Sequence, residues 1–217
     1  MKLLKCKNVS FYDILKDINF ELDYKENAII YSGVKTGSTL FLKIIDNMVD
    51  NVKGEILFEG KNILAFNEDS KIDYSFNVSF SYEQKGLLHS MNVFDNIILP
   101  LKKFKSYDEK LLNSLIKDFQ IKNILYKEPS EINDVETILV NIVRAIIVKP
   151  KLILYDEIDN GMDIDMTSNI LNILEKYQNK IGFAQIFTTV KNYPFSPYSK
   201  FNKKFKLFNK TLEKIDG

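Results

Sequence analysis

The chain has 217 residues, with 30 lysines and arginines against 29 aspartates and glutamates, a formal net charge of +1. That balance excludes the one-sided field needed to wrap nucleic acid or to hold a polybasic segment on lipid, so no nucleic-acid partner is expected. A hydrophobic content of 45% supplies one packed core and excludes a disordered chain. No apolar run reaches the roughly 18 residues of a membrane span, and the N-terminus lacks the apolar stretch of a signal peptide. A single cysteine, Cys6, rules out an internal disulfide and suits a reducing compartment. Within the basic set only Arg144 is arginine.

In chain order, the first 31 residues read as strands: Leu3–Phe11, Ile18–Leu22 and Asn27–Tyr31, separated by polar turns. A loop with two glycines leads to a helical run, Leu40–Met48. Gly54–Gly60 is a short strand with a glycine at each end, and Val78–Tyr82 is the next strand. An amphipathic stretch then runs to Pro100. Asp108–Phe119 has apolar residues at helical spacing with Asp108 and Glu109 in its first turn, and Glu136–Val148 is a more apolar helix ending near Pro150. Leu152–Tyr155 is wholly apolar, as in a strand buried on both faces. A helix over Asp165–Tyr177, a strand over Phe183–Thr188, and a lysine-rich hairpin, Lys204–Phe208 with Thr211–Ile215, complete the chain. Strands alternating with helices from residue 27 to 188 predict an α/β fold with a mostly parallel core sheet and antiparallel strands at the N-terminus.

Two segments carry chemistry. Ser32-Gly33-Val34-Lys35-Thr36-Gly37-Ser38-Thr39, between a strand and a helix, fits the phosphate-loop pattern G-x-x-x-x-G-K-[ST] at Gly37 and Thr39. It departs from it at Ser32 and at Ser38, where the lysine belongs, and by itself it is also the composition of an ordinary turn. The apolar strand Leu152–Tyr155 runs into Asp156-Glu157, a pair suited to holding a Mg²⁺ water shell and orienting an attacking water, or simply to ending a strand at the surface. Asn160-Gly161-Met162-Asp163 follows.

With these segments in this order, the chain resembles the ATP-binding subunit of ABC transporters over nearly its full length. The strand Gly54–Gly60, the segment Leu87–Pro100, Ile142-Val143-Arg144-Ala145 and Pro150-Lys151 fall where that family has counterparts. The resemblance implies a P-loop NTPase fold of ABC type in one domain, residues 1–217, with a helical signature subdomain inserted at about 85–135. It implies ATP and Mg²⁺ as cofactors. Gly33, Lys35, Gly37, Ser38 and Thr39 would face the phosphates, and Tyr12 or Phe11 would stack on the adenine or else cover the core. Thr39 and Asp156 would hold the metal, Glu157 would be the catalytic base, and Gly161 and Asp163 would form the D-loop. The partners implied are a multi-span membrane permease, docked through Leu87, Leu88, Val93 and Phe94, and a second ABC subunit in a homo- or heterodimer. The chain would then lie in the cytoplasm, peripheral on the inner face of the membrane. The wording of Met91–Pro100 is similar to compact subunits of MCE-type lipid transporters and lipoprotein-release systems.

The departures fall on phosphate-contacting positions. The L-S-G-G-Q signature maps to Ile132-Asn133-Asp134-Val135-Glu136, so two carboxylates stand where the family offers backbone N–H groups to a phosphate. The loop glutamine maps to Glu83, with Gln84 one position late, and the switch histidine maps to Val190; His89, the sole histidine, reads as an exposed loop residue. Losing the phosphate-loop lysine removes a charge-assisted contact of about 1.5–3 kcal/mol. Lys35 sits where ABC loops carry a further glycine, so it either obstructs the phosphate nest or supplies a surrogate charge. The expectation is a degenerate ABC subunit with weak ATP binding and weak or absent hydrolysis. An active ATPase subunit and a freestanding P-loop regulator are the alternatives.

Overall fold

The computed structural model describes residues 2–82, 86–103, 108–191 and 197–215. Strand β1 (Lys2–Phe11) pairs antiparallel with β2 (Leu15–Asp23), and β3 (Asn27–Ser32) leads through the glycine loop to α1 (Ser38–Ile45). Strand β4 (Lys53–Phe58) and the two-residue β5 (Lys61–Asn62) follow, then α2 (Glu68–Ser75), β6 (Val78–Ser81), α3 (Val93–Ile98) and α4 (Glu109–Asp118). The second half contains α5 (Asp134–Ile147), β7 (Leu152–Asp156), α6 (Ile164–Ile181), β8 (Ala184–Thr189), β9 (Lys203–Phe208) and β10 (Thr211–Lys214).

These strands form two sheets. An antiparallel sheet has the order β2-β1-β4-β5; the other, β10-β9-β3-β8-β7-β6, is parallel except for the terminal β9–β10 hairpin. The α/β expectation and the N-terminal antiparallel strands are both found. Helix α1 lies between the sheets: its Phe41, Leu42 and Ile45 share one apolar cluster with Leu4 and Phe20 on one side and Leu154 and Ile186 on the other. The opposite face of the parallel sheet presents Ile29, Ile153, Tyr155 and Phe187 to a cluster built from α3, α4, α5 and α6. Successive β7 residues therefore point into different clusters, and both are dry, which is why the strand reads as an unbroken apolar run.

One glycine is fixed by close approach. Gly54 has φ +96°, and a Cβ there would lie 2.5 Å from the Asn8 carbonyl oxygen, at the register shift where β1 crosses β4. Helix α2 is an element that apolar periodicity does not show. It has Asn67 as its N-cap, accepting from the Ser70 N–H at 2.9 Å, and Glu68 and Asp69 in its first turn. It buries only Tyr74, whose hydroxyl donates to the Ile45 carbonyl at 2.6 Å. The cap was the available signal; a face with one buried residue leaves no 3.6-residue period.

Candidate functional site

The parallel strands end on one edge, and the expected phosphate-loop residues, Asp156 and Glu157 lie there. At the end of β3, the Ser32 hydroxyl lies 3.0 Å from the Ser38 hydroxyl, and the Thr36 hydroxyl donates to the Gly33 carbonyl at 2.9 Å. The loop is thus closed by its own serines and threonine, with Ser38 buried in the place of the lysine. Gly37 (φ +100°) starts α1 without a side-chain cap, leaving the first-turn N–H groups to a solvent or ligand acceptor. Lys35 holds φ +61° and is exposed, so the glycine-like backbone turn persists although the residue is lysine. A groove of about 750 Å³ opens beside this loop, lined by Gly33, Thr36, Val190, Lys204, Lys206 and Phe208 among others.

Across from the loop, Asp156 ends β7 almost fully buried. Its Oδ1 accepts from the Thr39 hydroxyl and from the Thr188 hydroxyl, each at 3.0 Å. Thr188 Oγ1 in turn accepts the Glu157 N–H at 3.1 Å, which fixes Glu157 at the left-handed φ of +46°. The two residues expected to hold the metal, Thr39 and Asp156, therefore lie in hydrogen-bond contact with each other. A threonine hydroxyl and one carboxylate fit a hard cation that takes its remaining ligands from water and phosphate. Among the described residues no group of three or more histidine, cysteine or acidic side chains forms a self-sufficient metal cage.

The next turn is locked differently. The Thr189 hydroxyl donates to Asp159 Oδ2 at 2.7 Å, and the Lys191 ammonium donates to the carbonyls of Asp159 and, at 2.6 Å, of Met162. Burial pushes the Asp159 carboxyl above its usual range, opposed by the Thr189 bond and by the Lys191 charge. Asp163 is the N-cap of α6, accepting from the Met166 N–H at 2.7 Å, and Gly161 takes φ +72°. The side chain of Val190, at the switch position, is 37% exposed and offers no hydrogen bond. Sequence reasoning missed Thr188 and Lys191. Both hold β8 against the β7 end through contacts that leave no spacing pattern in the chain.

Several expected residues have local structural duties. Asn133 and Glu136 cap α5 reciprocally: Asn133 Oδ1 accepts from the Glu136 N–H and Glu136 Oε2 from the Asn133 N–H, both at 2.9 Å. The Glu136 carboxylate is thereby committed to its own helix, while Asp134 is exposed. Tyr12 is 77% exposed at φ +44°, its ring 4.6 Å from that of Phe11 in an edge arrangement. Of the four docking residues, Val93 is fully buried and Leu87 is 9% exposed, both part of the core beneath α3. They pack inward because α3 must cover α5, so only Leu88, 45% exposed, and the partly buried Phe94 are accessible. Glu83 and Gln84 lie outside the described residues; His89 is exposed, as expected.

A profile of the ABC transporter family matches residues 15–160. The lipoprotein-releasing system ATP-binding protein LolD of Buchnera aphidicola is 29% identical over 200 residues, covering 86% of this chain and 87% of that protein. The methionine import ATP-binding protein MetN of Clostridioides difficile is 26% identical, and the match spans 86% of this chain and 60% of MetN. Among solved structures, the dimeric structure of MJ0796, a bacterial ABC transporter cassette, superposes with a TM-score of 0.86 at 19% identity, covering 99% of each chain. A structure of cbiO1 from Clostridium perfringens gives 0.82 at 18% identity, covering 97% of this chain and 86% of that one. Identities this low establish the fold, and the family profile, matched through the phosphate loop and the β7 carboxylates, places the chain in the ABC transporter family as an ATP-binding domain of that kind.

Proposed function

We propose that the chain is the ATP-binding-type subunit of an ABC transporter that binds MgATP weakly, hydrolyses it slowly or not at all, and acts by docking on a multi-span membrane permease. The observation that carries this reading is Ser38. It stands in place of the phosphate-loop lysine, is buried, and is hydrogen-bonded across the loop to Ser32, so no cation reaches into the loop from that position. Phosphoryl transfer depends on positioned charge, and Val190 and Asp134 withhold it at two further places. Thr39 and Asp156 would hold Mg²⁺, Gly33, Lys35, Gly37 and Ser38 would border the phosphates, and Tyr12 would face the base.

Pairing with a second ABC subunit follows from the same reading, since MJ0796, similar in fold over its full length, has a dimeric structure. Among the described residues no helix is long and apolar enough to cross a membrane; Leu88 and Phe94 would make the contact with the permease and hold the chain at the inner membrane face. Similarity to LolD favours a lipid-linked cargo.

The second reading, an active ATPase subunit, is favoured by the intact Thr39–Asp156 contact and by Glu157. Titration of the purified chain with labelled MgATP separates the two. Affinity weaker than about 100 μM supports the proposal, whereas micromolar affinity sinks it. Turnover within the usual enzymatic range of roughly 1–10³ s⁻¹, abolished by Glu157→Gln, would establish the second reading instead.

A further inference from the structure

A separate cavity lies at the end of the parallel sheet opposite the phosphate loop. Asn27 opens β3, and Gln185, second in β8, stands beside it in the parallel register. The phosphate loop leaves the other end of β3, about 17 Å away at the usual rise of a strand. The cavity holds about 370 Å³ between this sheet face, α6 and the turn Pro197–Lys200, and Asn27, Gln185, Phe187, Leu171, Asn172 and Phe201 are among its lining residues. That volume falls at the lower end of the range of small-molecule sites.

Its floor is a fixed row of amides. Gln178, on α6, donates its nitrogen to the carbonyls of Lys25 and Phe183 and to Asn27 Oδ1, and Gln185 Nε2 donates to the same Asn27 oxygen at 3.1 Å. Two backbone carbonyls fix the Gln178 nitrogen, that nitrogen fixes the Asn27 oxygen, and the oxygen fixes the Gln185 nitrogen. Gln185 Oε1 is left buried with no hydrogen-bond partner, on a residue 1% exposed. An unmet buried acceptor costs folding free energy, which an apolar residue like its neighbours Ile186 and Phe187 would not. The walls are apolar (Leu171, Phe187 and Phe201), and the ionic groups at the mouth, Glu175 and Lys200, are exposed and lie 3.9 Å from each other.

We propose that this cavity is a binding site for a small uncharged planar heterocycle, of nucleobase size, that donates an N–H to Gln185 Oε1 and lies against Phe187 and Phe201. A tilt of the Gln185 amide about its bond to Asn27 turns the oxygen into the cavity. The unmet acceptor calls for a donor, the aromatic walls favour a ring, and the mutually paired charges at the mouth leave a net charge on the ligand without a partner. The assignment is independent of the reading of the phosphate loop, because the two sites stand at opposite ends of the same strands.

The probes are uracil and 1,3-dimethyluracil, which share a ring and differ in N–H donors. Titrated into isotope-labelled chain and followed by NMR, uracil should shift the Phe187, Phe201 and Gln185 side-chain signals saturably. It should bind at least about tenfold more tightly than the dimethyl analogue, as one hydrogen bond to a buried acceptor predicts. Gln185→Leu should erase that preference. Asn172→Trp, a change at an exposed position of the mouth, should abolish binding of both probes with the urea midpoint unchanged. If Gln185→Leu does not fold, Asn172→Trp still decides whether the shifts arise in this cavity. Equal affinity for the two probes, or a preference that survives Gln185→Leu, overturns the donor assignment. Shifts that never saturate, or that persist in Asn172→Trp, leave the cavity to water and overturn the site.

Discussion

The two sides of the candidate site are built on opposite plans. At the β7–β8 end, Asp156, Thr188, Glu157, Thr189, Asp159 and Lys191 bind one another across strands that are distant in sequence. At the phosphate loop, side-chain bonds run within the loop, Ser32 to Ser38 and Thr36 to Gly33, while Thr39 reaches across to Asp156. The first plan makes the Asp156 and Asp159 carboxylates part of the scaffold, with Glu157 held through its backbone N–H. Losing chemistry there would unravel packing, whereas the loop can change its residues at little cost to the fold. On the proposed reading, that difference accounts for an aspartate at 156 beside a loop that carries serine at 38.

The comparison can be broken by measurement. Asp156→Ala should be the most damaging change, costing about 2–4 kcal/mol by leaving two threonine hydroxyls without their acceptor; a urea-unfolding loss no larger than that of Ser38→Ala, about 1 kcal/mol, would dissolve the distinction. Ser38→Lys restores a charge to the loop and should tighten MgATP binding roughly tenfold to hundredfold by the same hydrogen-bond energetics, read by equilibrium titration. Unchanged binding would place the defect elsewhere, at Lys35 or in α5.

A third test lies behind the loop. Asp46 caps the C-terminus of α1, and burial raises its carboxyl to about 7. Its folded value lies above the unfolded one, so the folded chain holds the extra proton between about pH 4 and 7 and stability falls as pH rises through that window. Asp46→Asn should therefore add about 1–2 kcal/mol at pH 8, allowing for a side chain still partly in contact with water, and nothing near pH 4. An equal gain at both pH values would remove ionisation as the cause. The smallest effect belongs to Lys35→Gly, which relieves the left-handed backbone and should stabilise by about 0.5–1 kcal/mol net of glycine's own entropy. A loss in thermal unfolding would show that the lysine side chain itself supports the loop.

The parallel sheet was legible because strands alternate with helices along the chain and because Leu152–Tyr155 of β7, buried on both faces, is apolar without interruption. The phosphate loop and the β7 carboxylates were legible because loop chemistry follows local order in the chain. Helix α2 was not, since it buries little more than Tyr74. Nor were the roles of Asn96 on the Leu88 backbone and Asn141 on the Tyr82 carbonyl, or of Thr188 and Lys191. A buried asparagine or half-buried lysine looks in sequence like a surface residue, and only the three-dimensional approach of a carbonyl or hydroxyl gives it a task. Asp163 and Glu136 carry the opposite lesson, because both residues stand at expected functional positions and both are used as helix caps.

The Ser32–Ser38 contact also bears on how such a subunit ages in a cell. A ligand protects a fold in proportion to RT ln(1 + [L]/Kd), which is negligible while the ligand stays below its dissociation constant. A loop that closes on itself needs no such protection. On the proposed reading, the chain's lifetime against proteases is set by its own unfolding equilibrium, and it should stay intact when nucleotide runs low in starvation.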